Sequence, residues 1–395
     1  MKNNNVIKKT KYEVILYLIK VTTIYFLCLC CTSEQGNEND LILFDVKASY
    51  PEKEIQIEDV ANIEYLQLEV NEEFLFNDVP TIITTDKIII GQRSTGEILV
   101  FSREGKPLSK FNRQGNGPED YPAIRQLIYN ETSDELFVLL PNKIIVYSIL
   151  GEFRRSIPFL KETNINSIVS FDAKTLLLYD GNNKYPSPFT FISKADGSVI
   201  ETVDTPRDKN IITYIVKQEI NNNVLASMTV LFAPAYHFVR YNDGYLLTDF
   251  AIDTVYFLSR AKELSPILAR KPAIQSMDPV VYLNSFINVS NYEFVSAVTV
   301  KNENNQLPRT YLMRDKKTGS VYRQKITLND YKGRQVTLSP ETIENTQDSK
   351  LGLIVLALVE LQAANSENKL SGRLKELVDN SDEDGNDIYM LLHFK

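Results

Sequence analysis

At 395 residues the chain is long enough for one large domain or two ordinary ones, and its 43% apolar content excludes disorder for most of its length. Net charge is −8; without the five Lys and one Glu of residues 1–30, 38 basic and 50 acidic residues remain, a net −12. Such a surface repels phosphate backbones and anionic headgroups, so nucleic acid and basic-patch membrane contacts are excluded as general partners. Cys28, Cys30 and Cys31 are the only cysteines, which leaves no disulfide or thiolate metal site in the body. Two histidines, His237 and His393, cannot build a histidine metal cluster alone.

In chain order, the first 20 residues are lysine-rich, and Val21–Cys30 is an apolar run of only about ten residues. A membrane-spanning helix needs roughly 20. A basic segment followed by a short apolar one is a secretion signal. Its end, Leu27-Cys28-Leu29-Cys30-Cys31, resembles a bacterial lipobox, in which a small residue precedes the lipidated cysteine. Cys31 fits best, because Cys30 is small where Leu29 is not. The expectation is a signal peptide over 1–30, lipidation at Cys31 and a flexible tether over 31–54. Several acyl chains anchor a protein almost irreversibly.

From residue 55 the pattern is β. Lys87-Ile88-Ile89-Ile90-Gly91, Glu97-Ile98-Leu99-Val100-Phe101 and Pro107–Phe111 are short branched runs separated by Gly-bearing turns, a meander of hairpins. The unit returns over Ile128–Ile157, where Lys143–Ile157 aligns with Glu97–Phe111. Further copies start near Thr175, Gly244 and Tyr292, and the last holds Ile354–Leu358 and Ile388–Leu392. Four-stranded units of about 40–50 residues specify a propeller. The expected fold is all-β, a six-bladed β-propeller of four-stranded antiparallel blades over 55–395. Ile63–Leu68 is expected to close the ring by joining the last blade. Leu370, Leu374, Leu377 and Val378 fall at helical spacing, so one C-terminal helical insertion is expected.

The loop Phe111-Asn112-Arg113-Gln114-Gly115-Asn116-Gly117-Pro118-Glu119-Asp120-Tyr121 resembles the Arg-Gln-Gly-x-Gly-Pro-x-x-Tyr loop of six-bladed β-propeller lipoproteins from Gram-negative gut anaerobes. These are distant relatives of NHL-repeat propellers. "GYLLTDFAIDTVYFL" (244–258), "MRDKKTGSVYRQ" (313–324) and the end "NDIYMLLHFK" (386–395) match the same group. Asp120 departs from it, standing where the family tends to place Gly-Glu. The resemblance implies the propeller and an envelope location, lipid-anchored in the outer membrane on its periplasmic or exposed side. It implies no biochemistry.

The candidate binding or structural loop is therefore Arg113, Gln114, Gly115, Gly117, Pro118 and Tyr121. Its glycines could aim N–H groups at an anion, but it lacks the Lys-Ser/Thr of a phosphate loop, and an inter-blade connection is the preferred reading. Tyr185 and Phe189 flank a proline-bearing loop and are the candidate rim aromatics. His237, in a strand-like run, reads as a core or edge residue. Asp382–Asp387 is calcium-like without the Asp-x-Asp-x-Asp-Gly order and reads as a solvated turn. No catalytic residue, metal site or cofactor is identified. The leading expectation is a non-enzymatic binding or scaffold lipoprotein for a protein or glycan partner in the envelope. The alternative is a metal-dependent hydrolase or lactonase, holding a divalent cation on carboxylates in the central channel. A weaker third is a sensory or assembly partner of an uptake system.

Overall fold

The structure, a computed structural model, describes residues 41–395 except 182–186, 206–213, 222–223, 233–235, 290, 345 and 383–384. The expected signal peptide, Cys31, tether residues 31–40 and Tyr185 lie outside the described residues. Among the described residues no helix is long and apolar enough to cross a membrane.

The chain opens with three strands, β1 (Ile42–Asp45), β2 (Glu52–Gln56) and β3 (Ala61–Leu66), none paired with another. Antiparallel meanders follow. The first is β4 (Ile82–Ile83), β5 (Lys87–Gly91), β6 (Glu97–Ser102) and β7 (Pro107–Asn112); the second is β8 (Gln126–Asn130), β9 (Glu135–Leu139), β10 (Lys143–Ser148) and β11 (Phe153–Pro158). The third is β12 (Ile165–Ser170), β13 (Thr175–Asp180), β14 (Phe189–Ser193) and β15 (Val199–Val203). A separate hairpin, β16 (Tyr214–Asn221) and β17 (Val224–Phe232), intervenes. The fourth meander is β18 (Phe238–Tyr241), β19 (Gly244–Leu247), β20 (Thr254–Leu258) and β21 (Leu264–Lys271). The fifth is β22 (Val281–Val289), β23 (Tyr292–Thr299), β24 (Arg309–Asp315) and β25 (Val321–Leu328), with β26 (Tyr331–Val336) folding back on β25. Then come α1 (Glu341–Glu344), β27 (Leu351–Leu356), α2 (Leu358–Ser366), α3 (Gly372–Asp379) and β28 (Ile388–Phe394).

This is an all-β propeller with four-stranded antiparallel blades and few helices. The middle strands of the first three meanders are buried along nearly their whole length, as in Ile98–Phe101 and Leu136–Leu139, because a neighbouring sheet covers each face. Apolar clusters accordingly lie between sheets: one joins the first and second meanders around Val100, Tyr121 and Tyr147, another the second and third around Phe137, Ile144 and Leu176.

Five complete four-stranded blades are present rather than the expected six. The last sheet has three strands in the order β27-β28-β3. Where an inner strand would run, the chain instead makes the short helix α1 and packs it against β27. Thr346 then forms a parallel bridge with Ile83 of the first blade. The helical insertion is a pair: Leu361 and Ala364 of α2, with Leu374 and Val378 of α3, are buried in the large apolar cluster.

Residues 42–54 are not a tether. β1 adds in parallel to the outer edge of β21, and β2 in parallel to β25. β3 pairs antiparallel with β28, Leu66 opposite Tyr389, which is the closure expected for residues 63–68. The first 25 described residues thus strap the outer edges of three successive sheets. β1 and β2 are each held by one inward side chain, Phe44 and Ile55; Phe44 is fully buried, while Leu43 is 58% exposed. Around β2 the fit is electrostatic, with Lys53 bonded to Asp315 at 3.0 Å and lying 4.9 Å from the Tyr292 and Tyr322 rings. Such edge strands leave no row of free backbone groups on the sheets they cover.

One inter-blade seam buries a lysine. Lys194 donates to Ser170 Oγ at 2.8 Å and to the Asp172 carbonyl at 2.6 Å. Burial pushes its ammonium down to about 8, against the pull of Asp172 and Glu135.

Two outcomes follow from these contacts. Phe44→Ala is expected to cost about 3 kcal/mol in chemical unfolding, and Leu43→Ala no more than about 0.5; equal, negligible effects would restore the tether. Lys194 binds its proton more weakly folded than unfolded, so the unfolded state holds more protons between pH 8 and the ordinary lysine range. Stability should therefore rise with pH across that window, by an amount on the order of 3 kcal/mol at most, and Lys194→Met should flatten that rise.

Candidate functional site

All inner strands begin on the same face of the ring. That face carries the insertions: the Gly115 loop, the β16–β17 hairpin and the α2–α3 pair. The opposite face carries tight turns, several built on left-handed residues such as Asp134, Asn242 and Gly105.

Between the inner strands lies an open cavity of about 620 Å³, counting space continuous with solvent. Its wall combines Ile82, Leu127, Val169 and Ile343 with the aromatic rings of Tyr236, Phe238 and Tyr245. Tyr236, Phe238 and Arg240 alternate along one extended segment, so their side chains share a face. A second space of about 630 Å³, bordered by Asn242, Asn288 and Lys350, shares Arg240 and Ile343 with the first.

Most polar groups on this wall are committed to holding the ring. Gln126 donates to the Ile168 carbonyl at 3.0 Å and accepts from its N–H at 3.1 Å, joining the second and third blades where no ladder runs. Gln347 donates to the Tyr129 carbonyl at 2.9 Å. Ser170 Oγ takes the Lys194 ammonium. Just outside the wall, Glu341 accepts from Arg309 at 2.8 Å and from Ser339. Among the described residues the one carboxylate on this cavity wall is Glu344, on a side chain that solvent reaches. Desolvation and the neighbouring Glu341 raise its pKa, with Arg93 opposing.

The predicted loop is placed away from this wall and knitted into itself. Gly115 N–H donates to Tyr121 O at 3.0 Å, and Tyr121 N–H to Arg113 O at 3.1 Å. Gly117 N–H donates to Asp120 Oδ2 at 3.1 Å. A Cβ on Gly115 or on Gly117 would lie 2.6 Å from that same oxygen, so a side chain at either position would force the Asp120 carboxylate to shift. Tyr121, fully buried, donates to the Gly96 carbonyl at 2.7 Å, and burial pushes its phenol up to about 12. Arg113 Nε reaches the Gly151 carbonyl at 3.1 Å and Gln114 Nε2 the Pro122 carbonyl at 3.1 Å. Pro118 O accepts from Lys143 at 2.9 Å. The N–H groups of Gly115 and Gly117 thus already have acceptors within the loop.

Phe189 is not a rim aromatic. It is fully buried in β14, 5.2 Å from the Tyr179 ring and 5.7 Å from Phe238, because its strand is sandwiched between blades. His237 is buried, stacked 3.6 Å from the Tyr179 ring, with Nδ1 2.9 Å from Thr248 O; that nitrogen must carry its proton to donate. His393 meets Glu64 at 2.7 Å. In the calcium-like turn Asp387 accepts the Leu358 N–H at 3.0 Å, satisfying the start of α2, and residues 383–384 lie outside the described residues. Among the described residues no three His, Cys, Asp or Glu side chains converge as a metal site would require.

Residues 41–393 match the family model described as a domain of unknown function, DUF4934. The chain belongs to that family. No curated protein matches it. Among solved structures, a Bacteroides fragilis protein described as exported is similar at 14% identity, with a TM-score of 0.60 over 90% of this chain and 99% of that one. A member of the DUF4221 family from Bacteroides vulgatus is similar at 11% identity and a TM-score of 0.46, over 85% and 97%. A streptogramin B lyase is similar at 12% identity and a TM-score of 0.33, over 68% and 98%. The first likeness shows the propeller fold.

The loop chemistry predicts a specific coupling. Gly117→Ala should cost about 1–3 kcal/mol through the clash with Asp120. In an Asp120→Ala background most of that cost should disappear, as a double-mutant cycle would read; additive effects would mean that the carboxylate is not what requires glycine.

Proposed function

We propose that this DUF4934 protein is an envelope lipoprotein, anchored through Cys31 in the outer membrane, that works as a non-enzymatic binding propeller for a glycan or protein partner. The observation that carries the reading is the central cavity. Its wall is apolar and aromatic, its amides and hydroxyls largely serve the ring, and its one carboxylate is Glu344. A hydrolase built on a divalent cation needs several converging oxygen ligands, and among the described residues this cavity wall offers a single carboxylate. The exported Bacteroides fragilis protein of similar fold supports passage out of the cytoplasm. In this reading the three-stranded closing sheet, with α1 at its inner edge, takes a sixth blade position, as in the NHL-related lipoprotein group that the Arg113–Tyr121 loop resembles.

Two measurements on the full-length protein test it. Metabolic palmitate labelling should be lost in Cys31→Ser and kept in Cys28→Ser and Cys30→Ser. Purified protein should contain no stoichiometric metal, keep its Tm under chelation, and gain Tm with at least one member of an envelope glycan panel. A tightly held divalent ion whose removal lowers Tm would sink the binding reading in favour of the hydrolase.

A further inference from the structure

Arginines in this acidic protein are mostly matched. Arg103, Arg155, Arg270, Arg309 and Arg314 each meet a carboxylate within 3.0 Å. Arg240 does not. It is half-buried on the cavity wall, at the border of both spaces, and among the described residues it is the one non-exposed arginine with neither an ion pair nor a side-chain hydrogen bond. Its guanidinium lies 5.1 Å from the centroid of the buried Tyr245 ring, and that ring holds it in place. A second guanidinium without an ion pair, Arg260, lies 5.5 Å from the Phe171 ring, itself 6.2 Å from Tyr245.

A guanidinium partly removed from water, with five donors in a fixed fork, is costly to leave unmatched and suits a bidentate oxyanion. Among the described residues the nearby carboxylates are Glu344 on this wall and Asp348 on the second space; neither forms an ion pair with Arg240, and Glu344 stands in the field of Arg93 and Glu341. The body's surplus of acidic residues makes an unmatched cation in its centre conspicuous, since carboxylates to pair it with are plentiful elsewhere. Around the fork the wall supplies rings and aliphatic side chains, suited to the faces of a ring-shaped body.

We infer that the central cavity binds a carboxylate-bearing small molecule or glycan end with a ring body, of the sugar-acid class, with Arg240 pairing the carboxylate and Tyr236, Phe238 and Tyr245 walling the ring. The inference rests on reading the cavity as a binding site and names its ligand chemistry. Glu344, on the same wall, is the group available for a hydroxyl of the ligand.

The test uses the full-length protein with D-glucuronate, its methyl ester, D-glucose and sodium sulfate as probes, read by thermal shift and saturation-transfer NMR. Glucuronate should bind and weaken with added salt. The methyl ester and glucose should bind about tenfold more weakly or worse, as should glucuronate to Arg240→Gln. Arg240→Lys should retain part of the affinity, having the charge without the fork. Unchanged far-UV dichroism and Tm guard against misfolding of either variant. If glucose and glucuronate bind equally, and Arg240→Gln binds both like wild type, the carboxylate assignment fails while the binding cavity stands. If sulfate matches glucuronate, the site is one for any small anion and the sugar-acid assignment fails. If no probe binds, this inference fails, and the glycan panel decides separately whether the cavity binds anything.

Discussion

The structure depends on one antiparallel ladder, β3 against β28. A meander alone leaves both faces of its sheet open, and only a ring covers every face. A linear chain can close a ring only by pairing its two ends. Bringing Glu64 to His393, 329 positions apart, costs on the order of 5 kcal/mol of loop-closure entropy plus a constant. What offsets it is the apolar burial on both sides of the closing sheet, where Leu391 packs with Leu99 and Phe101 of the first blade, and Met390 and Leu392 with the large cluster. Polar closure sits at the edge of that contact. Partial burial would raise the Glu64 carboxyl, but the bonds from His393 and Arg103 outweigh it and hold it below the usual carboxylate range. One carboxylate thereby ties the start of the chain, its end and a turn of the first blade.

The rest of the N-terminal strap extends this logic outward. Having reached the ring at β1, the chain covers the edges of the fourth and fifth blades before completing the last sheet. Its strands are parallel additions, weaker per residue than antiparallel ones, and each relies on a single inward anchor, Phe44 or Ile55. That is why the segment reads as a linker in sequence. Glu52-Lys53-Glu54 has the look of a solvated charge run, and its partners, Asp315 for Lys53 and Lys325 for Glu52 and Glu54, lie more than 250 residues away. Charge complementarity across that distance leaves no periodic signal.

The first two meanders were legible because the centres of their middle strands are unbroken apolar runs. Ile98–Phe101 and Ile144–Tyr147 carry the same pattern, and both faces of each are buried for the same reason. The closing sheet was illegible at its inner edge. Pro340 and the acidic Glu341-Thr342-Ile343-Glu344 prefer a helical turn, and the chain there follows local preference into α1, leaving three strands in the sheet. The loop around Gly115 was legible as a feature, and Asp120 explains its glycines. Sequence spacing does not reveal that Asp120, a departure from the family pattern, accepts the Gly117 N–H.

The cavity was the hardest part to read, for a physical reason. Gln126, Gln347 and Ser170 are ordinary polar residues in sequence, and their commitment to backbone groups of other blades exists only once the ring closes. Arg240 sits in the same Tyr236–Arg240 run as His237, and histidine is the residue type that draws attention when chemistry is sought. Alternation sends the two opposite ways. His237 faces the Tyr179 ring and the Thr248 carbonyl, where it is satisfied; Arg240 faces the axis, with its ring contact to Tyr245 and no acceptor of its own. In a wall whose other donors are already bonded, the residue left with unmatched donors is the one through which a ligand can gain affinity. On the proposed reading, selectivity at the axis falls to the chemistry of one guanidinium, and the scaffold's contribution is to keep that side chain half-dry and aimed.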